Sequence, residues 1–289
     1  MNAASTAQQM LDPVRHGLPD GAWAVAFLSL AVLCVCLPLM LRVMRGMGQP
    51  APSMHADTAI LAVPVALAAY IAPIILFPAL VGGDPRANPM AFGGMQVGFA
   101  LAGMLALLFN PMQATATHHP WIELHPRWLP RMGATYLLTF PMLQAASYLS
   151  VLLLVTLGHT VQVQPVLESA RASRDAASIA GWYVMAVLGA PLAEELVFRL
   201  AIFGGLVAFF SRDGRKLTRV HWLIAGGVSI AVFVLAHEPW NWPVGILPLT
   251  LLSVSLTALY AYTRSIWPGV IVHAVHNALV LTLQFFVVE

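Results

Sequence analysis

Three apolar stretches of this 289-residue chain carry the side chains on which chemistry can be built. The first holds Glu194, Glu195 and Arg199, the second Phe233 and His237, and the third His273, His276 and Asn277. A charged group at the centre of a membrane helix costs about 2.5–3.5 kcal/mol on insertion scales, so such groups pair with one another or line a functional cavity. Two carboxylates, three imidazoles, a carboxamide and a guanidinium are the parts of a hydrolytic site. A carboxylate can take a proton from water, imidazole and amide N–H groups can donate to an oxyanion, and a guanidinium can orient an acid.

Spacing decides which of these can meet. At about 100° per residue, Glu195 and Arg199 stand at i, i+4 and share a face, in the order that favours a carboxylate–guanidinium pair, while Glu194 points about 100° away from Glu195. One acid is expected to be held by Arg199 and the other to stay free. His273, His276 and Asn277, at i, i+3 and i+4, project from one helix face, which therefore turns away from lipid. Phe233 lies one turn before His237 and makes an apolar wall beside it. Glu238, Asn241 and the neighbouring Trp240 and Trp242 read as interfacial, with Glu238 within reach of the site. His118, His119 and His125, near Glu123 in a loop containing Pro and Trp, read as an interfacial loop in preference to a metal site. Cys34 and Cys36 stand about 200° apart around a helix and form neither a disulfide framework nor a metal-ligand pattern.

The elements that must position these groups are membrane helices. Hydrophobic residues make up 59% of the chain and charged ones 9%, with a mean hydropathy of +0.79, whereas soluble proteins average about 25% charged residues. The formal net charge of +2 and scattered Lys and Arg give no basis for nucleic-acid binding. With about 20 apolar residues needed per crossing, the expected fold is an all-α polytopic bundle of about eight transmembrane helices. They are expected at Ala22–Leu41, Thr58–Val81, Phe92–Asn110, Ala134–Leu157, Ile179–Leu200, Trp222–His237, Val244–Tyr262 and Trp267–Val288. The fifth is expected to run on as a helix through Ala201–Phe210, and the sixth to drop into a re-entrant turn at 238–242. The first helix reads as a retained anchor. Residues 1–176 form an N-terminal part with about four helices, and 177–289 a catalytic core with about four more. Arg42, Arg45, Arg127, Arg131, Arg212, Arg215, Lys216, Arg219 and Arg264 outnumber Arg15, Arg86, Arg171 and Arg174 in the alternate loops, which puts the first group in the cytoplasm and both termini outside.

Taken in order, Glu-Glu-x-x-x-Arg (194–199), Phe-x-x-x-His (233–237) and His-x-x-x-Asn (273–277) resemble the CPBP family, which comprises the type II CAAX prenyl endopeptidases and the bacterial Abi-type intramembrane proteases. The lead-in from Leu259 to His273 is similar to the family's approach to its third motif, and the resemblance covers roughly Gly181 to Leu281. It implies an intramembrane endopeptidase in a bacterial-type inner membrane, acting on a membrane-associated protein or peptide, prenylated or membrane-anchored. Carried over residue by residue, it implies that Glu194 is the general base, that His237 holds the water, and that His273 and Asn277 stabilise the oxyanion. Glu195 and Arg199 become an orienting pair.

An older reading of the same family is metallo-: Glu194, His237 and His273 would satisfy the three-ligand pattern of a catalytic zinc. No His-Glu-x-x-His motif exists, and a metal-free mechanism is favoured, with no cofactor. Two other functions fit the same polar residues, a proton-coupled transporter and a catalytically idle membrane scaffold. A proton path would spread ionisable groups through many helices, and the first four spans hold almost none. A scaffold has no need of two glutamates and three imidazoles. Nothing in the chain selects a substrate.

Overall fold

The computed structural model describes residues 21–45, 56–109, 120–162, 164–173, 175–212, 215–237 and 243–286. Glu238, Asn241, Trp240, Trp242, His118 and His119 lie outside the described residues, as do the expected re-entrant turn at 238–242 and Arg15 and Arg174 of the charge count. The described part is helical: α1 (Ala22–Arg45), α2 (Ala56–Leu80), α3 (Pro89–Leu108), α4 (Leu129–Thr156), the short α5 (Pro165–Ala172), the composite α6 (176–210), α7 (Arg219–Ala236), α8 (Ile246–Thr263) and α9 (Trp267–Phe286). Backbone polar groups in lipid must be satisfied within the chain, and a helix does so segment by segment.

Seven helical spans among the described residues are long and apolar enough to cross a membrane: those built on α1, α2, α3, α4, α7, α8 and α9. The eighth expected span, 179–200, falls inside α6 and departs from a plain α-helix. That run is assembled from α-helical Ala176–Tyr183, a π-helical Val184–Gly189, α-helical Ala190–Glu194, a π-helical Glu195–Gly204 and α-helical Gly205–Phe210. Helix does continue through Ala201–Phe210, as the hydropathy suggested. A π-turn bonds each N–H five residues back, and such turns concentrate at functional sites. The even turn of about 100° per residue assumed from the sequence therefore fails across Glu195–Gly204.

α6 is the centre of the bundle. Every residue from Pro191 to Leu200 is buried, because α2, α3, α7, α8 and α9 all pack on its middle. Its charged residues, Glu194, Glu195 and Arg199, are thereby enclosed by protein and kept from lipid. Glycines allow the closest approaches: a Cβ at Gly93 would overlap the backbone of Met185, and one at Gly181 would overlap that of Met90. Small residues at helix crossings let backbones approach and gain packing in lipid, where apolar burial supplies little drive.

Local chemistry sets where the site-bearing helices begin and end. Asp175 caps α6, its carboxylate accepting from the Ser178 N–H at 2.8 Å. Hydrogen bonds from Ser178, side chain first and then backbone, hold the Asp175 carboxyl below the ordinary aspartate range. Thr218 and His221 form a reciprocal capping box at the start of α7. The turn between α8 and α9 buries Ser265 and Ile266, with the half-buried Arg264 in the left-handed conformation (φ 60°). Its Ile266 N–H donates to the Trp121 carbonyl at 2.9 Å, and the Ser265 hydroxyl donates to the Glu123 carbonyl. The loop before α4 thus holds down the turn from which α9 departs.

Candidate active site

The three polar stretches converge. Glu194 Oε2 lies 3.8 Å from His237 Nε2 and 3.8 Å from His273 Nε2. Glu195 Oε1 lies 3.4 Å from Arg199 Nη1 and 3.6 Å from His273 Nδ1. His273 therefore stands between the two glutamates with one ring nitrogen toward each. Arg199 pairs with Glu195, as their spacing suggested, although the helix between them is π-helical.

His237 ends its helix, its backbone N–H reaching back to the Val234 carbonyl. Its Nδ1 is 2.7 Å from the Phe233 carbonyl. A carbonyl only accepts, so Nδ1 carries the hydrogen, and in the neutral ring Nε2 presents a lone pair toward Glu194. The Phe233 ring packs on His237 with centroids 4.5 Å apart, on Phe198 at 5.2 Å and on His273 at 6.2 Å. The guanidinium of Arg199 lies over the same ring, 4.4 Å from its centroid. Phe233 is thus the wall expected beside His237, and it also carries the arginine by a cation–π contact.

Several site-building residues escaped the sequence reading. The Ser253 hydroxyl on α8 accepts from Arg199 Nη2 at 3.1 Å, and the Ser229 hydroxyl on α7 donates to the Phe198 carbonyl at 2.7 Å. Tyr70 on α2 sets its ring edge-on to Phe198, centroids 5.9 Å apart. Gly269 stands at i−4 from His273, and a Cβ there would overlap the Glu195 carboxylate. The signal for Gly269 was available, because 269, 273 and 277 fall on one helix face. Gly269→Ala is expected to lower stability by about 1–3 kcal/mol through overpacking. Thermal unfolding in detergent checks this, and an unchanged midpoint would mean that Glu195 has room to move.

Asn277 has a definite partner. Its amide Nδ2 donates to the Ala186 carbonyl at 2.7 Å. That carbonyl has lost its usual donors: the Ala190 N–H bonds to Met185, and residue 191, five positions on from Ala186, is a proline with no N–H. Asn277 thereby repairs a gap in the α6 ladder with one of its two N–H groups. His276, at i+3 from His273, faces the Tyr136 ring of α4, centroids 6.3 Å apart. His125 pairs with Glu123 at 3.2 Å in the partly exposed loop before α4. Cys34 and Cys36 are free thiols on α1.

The glutamate–imidazole separations bear on what the site can hold. At 3.8 Å the pairs are too long for direct hydrogen bonds, and one water oxygen about 2.8 Å from each partner fits between them. Three donors bound to zinc at about 2.0–2.2 Å stand about 3.3–3.6 Å apart. The present spacing is wider, and among the described residues no group of three or more His, Cys, Asp or Glu is gathered closely enough to hold a metal ion. Glu194 thus stands farther from both imidazoles than zinc-bound donors do from one another. Glu194 Oε2 has no hydrogen-bond partner among the described residues, and neither does either oxygen of Glu195.

Residues 176–279 match the family model for type II CAAX prenyl endopeptidase, Rce1-like. No curated protein and no solved structure matches the chain. The matched stretch begins with α6 and ends in α9, so it contains all three polar clusters and none of α1–α5.

Proposed function

We propose that this chain, whose residues 176–279 match the type II CAAX prenyl endopeptidase family, hydrolyses a peptide bond in a membrane-associated substrate by glutamate-activated water. The observation that carries the reading is the pair of equal separations, 3.8 Å, from Glu194 Oε2 to the Nε2 atoms of His237 and His273. A water between Glu194 and His237 donates one hydrogen to the carboxylate and one to the His237 lone pair, which leaves an oxygen lone pair for the carbonyl carbon. As the C–O bond forms, Glu194 takes the water proton. The oxyanion is met by an N–H of His273 and by the Asn277 N–H not used on Ala186. Collapse breaks the C–N bond, and Glu194 returns the proton to the leaving amine. Glu195, tied to Arg199, holds the other edge of His273 and keeps its ring in place.

One observation favours the metallo- reading. His237 gives its Nδ1 hydrogen to a backbone carbonyl and His273 turns Nδ1 to a carboxylate, the outer contacts that metal-bound imidazoles make. A single assay separates the two. Purified protein is given a library of membrane-tethered peptides before and after metal stripping with a chelator. Cleavage that survives stripping supports the glutamate mechanism. Activity lost on stripping and restored by zinc overturns it, and dissipation of a proton gradient in liposomes with no peptide cut favours a transporter.

A further inference from the structure

Hydrolysis at membrane depth consumes water, and a second group of buried polar atoms lies beside the site on the α4–α9 seam. On α4 the Tyr136 hydroxyl is buried with no hydrogen-bond partner among the described residues. On α9 the Nδ1 of His276, one turn beyond His273, is in the same condition. The two aromatic rings face each other across the seam, Tyr136 and His276 centroids 6.3 Å apart and 65° between planes.

The His276 imidazole has an intrahelical alternative that it does not take. His237 turns its Nδ1 to the carbonyl four residues back, at 2.7 Å, whereas the Nδ1 of His276 makes no such bond. Buried polar atoms that forgo the backbone are sites for ordered water, which makes two to four hydrogen bonds to such groups. The seam also starts near an interface. Tyr136 lies about two helical turns from the start of α4, where Arg127 sits in the preceding turn of 3-10 helix and Arg131 in the first turn of α4.

We propose that Tyr136 and His276 hold a short file of water on the α4–α9 seam, leading from the interface to His273. Tyr136 lies outside the family-matched segment, so the N-terminal helices would supply part of the water path and not only an anchor. The use of that water in peptide hydrolysis rests on the function proposed above; its presence does not.

Hydroxyl-radical footprinting of the full chain in lipid nanodiscs tests the presence without any substrate. Short X-ray pulses generate radicals from bound water and label the side chains it touches. After correction for intrinsic reactivity, Tyr136 and His276 are expected to label at least threefold faster than Phe140, whose ring packs on Tyr136 at 6.0 Å, and Phe233. In Tyr136→Phe, which keeps the ring, labelling of His276 is expected to fall at least threefold. Labelling of Tyr136 and His276 no faster than those two phenylalanines, or unchanged labelling of His276 in Tyr136→Phe, overturns the proposal. Because footprinting needs no turnover, a wet seam in a protein that cleaves nothing would count against the peptidase reading alone.

Discussion

Glu194→Gln is expected to lower turnover of a cleavable membrane-tethered peptide by about a thousandfold, within the range of about 10²–10⁴ that a positioned general base supplies. The glutamine keeps the shape of the side chain and its place between His237 and His273, 3.8 Å from each. It loses the capacity to take a proton. Binding energy is not made by that proton transfer, so KM is expected to move by less than about threefold while kcat collapses. Glu195→Gln has a different expected signature. That residue is fully buried against Arg199 and Gly269, so its loss falls first on stability and on the placing of His273. Kinetics of both variants, measured beside their thermal unfolding midpoints, separate the roles. Full activity in Glu194→Gln would remove the proposed base.

Arg199→Leu is expected to be the most destabilising single change in the core, by about 3–5 kcal/mol, the usual cost of removing one partner from a buried ion pair. Arg199 and Glu195 both have completely buried side chains. The substitution breaks the 3.4 Å contact with Glu195, the 3.1 Å hydrogen bond to Ser253 and the seat on Phe233. The larger part of the cost is the Glu195 charge left behind without its cation. Arg199→Met combined with Glu195→Gln removes both charges and is therefore expected to recover much of the stability lost in Arg199→Leu. Unfolding in detergent followed by tryptophan fluorescence measures the difference. If the double variant is as unstable as the single one, the stranded charge is not the cause.

Much of this site was legible in the sequence, because membrane helices restrict what a polar residue can do. The i, i+4 spacing of Glu195 and Arg199 announced their pairing, and the expense of charge in lipid announced that three distant stretches must meet. The π-turns were not legible. They arise where neighbouring helices and a proline compete with the α ladder, and the even-turn geometry used for Glu194 and Glu195 carries no trace of them. For the same reason Asn277 could be read as an oxyanion donor but not as the partner of Ala186, whose need is created by Pro191 on another helix. Ser229 and Ser253 were unreadable for a simpler reason. A serine in an apolar helix usually bonds its own backbone, and only the packed bundle reveals that these two serve Phe198 and Arg199.

The enclosure of α6 also governs which parts of the molecule can yield. Local openings come most cheaply where a segment has few buried contacts, and the segment 191–201 has the longest unbroken burial among the described residues. Its amides are therefore bound to exchange hydrogen only when the whole bundle comes apart. A rearrangement that admits a substrate is therefore expected in the surrounding helices, around a carboxylate that stays where it is. On the function proposed above, the reacting group is expected to be the fixed axis, with opening and closing left to the histidine-bearing helices α7 and α9 and to the N-terminal helices packed against it.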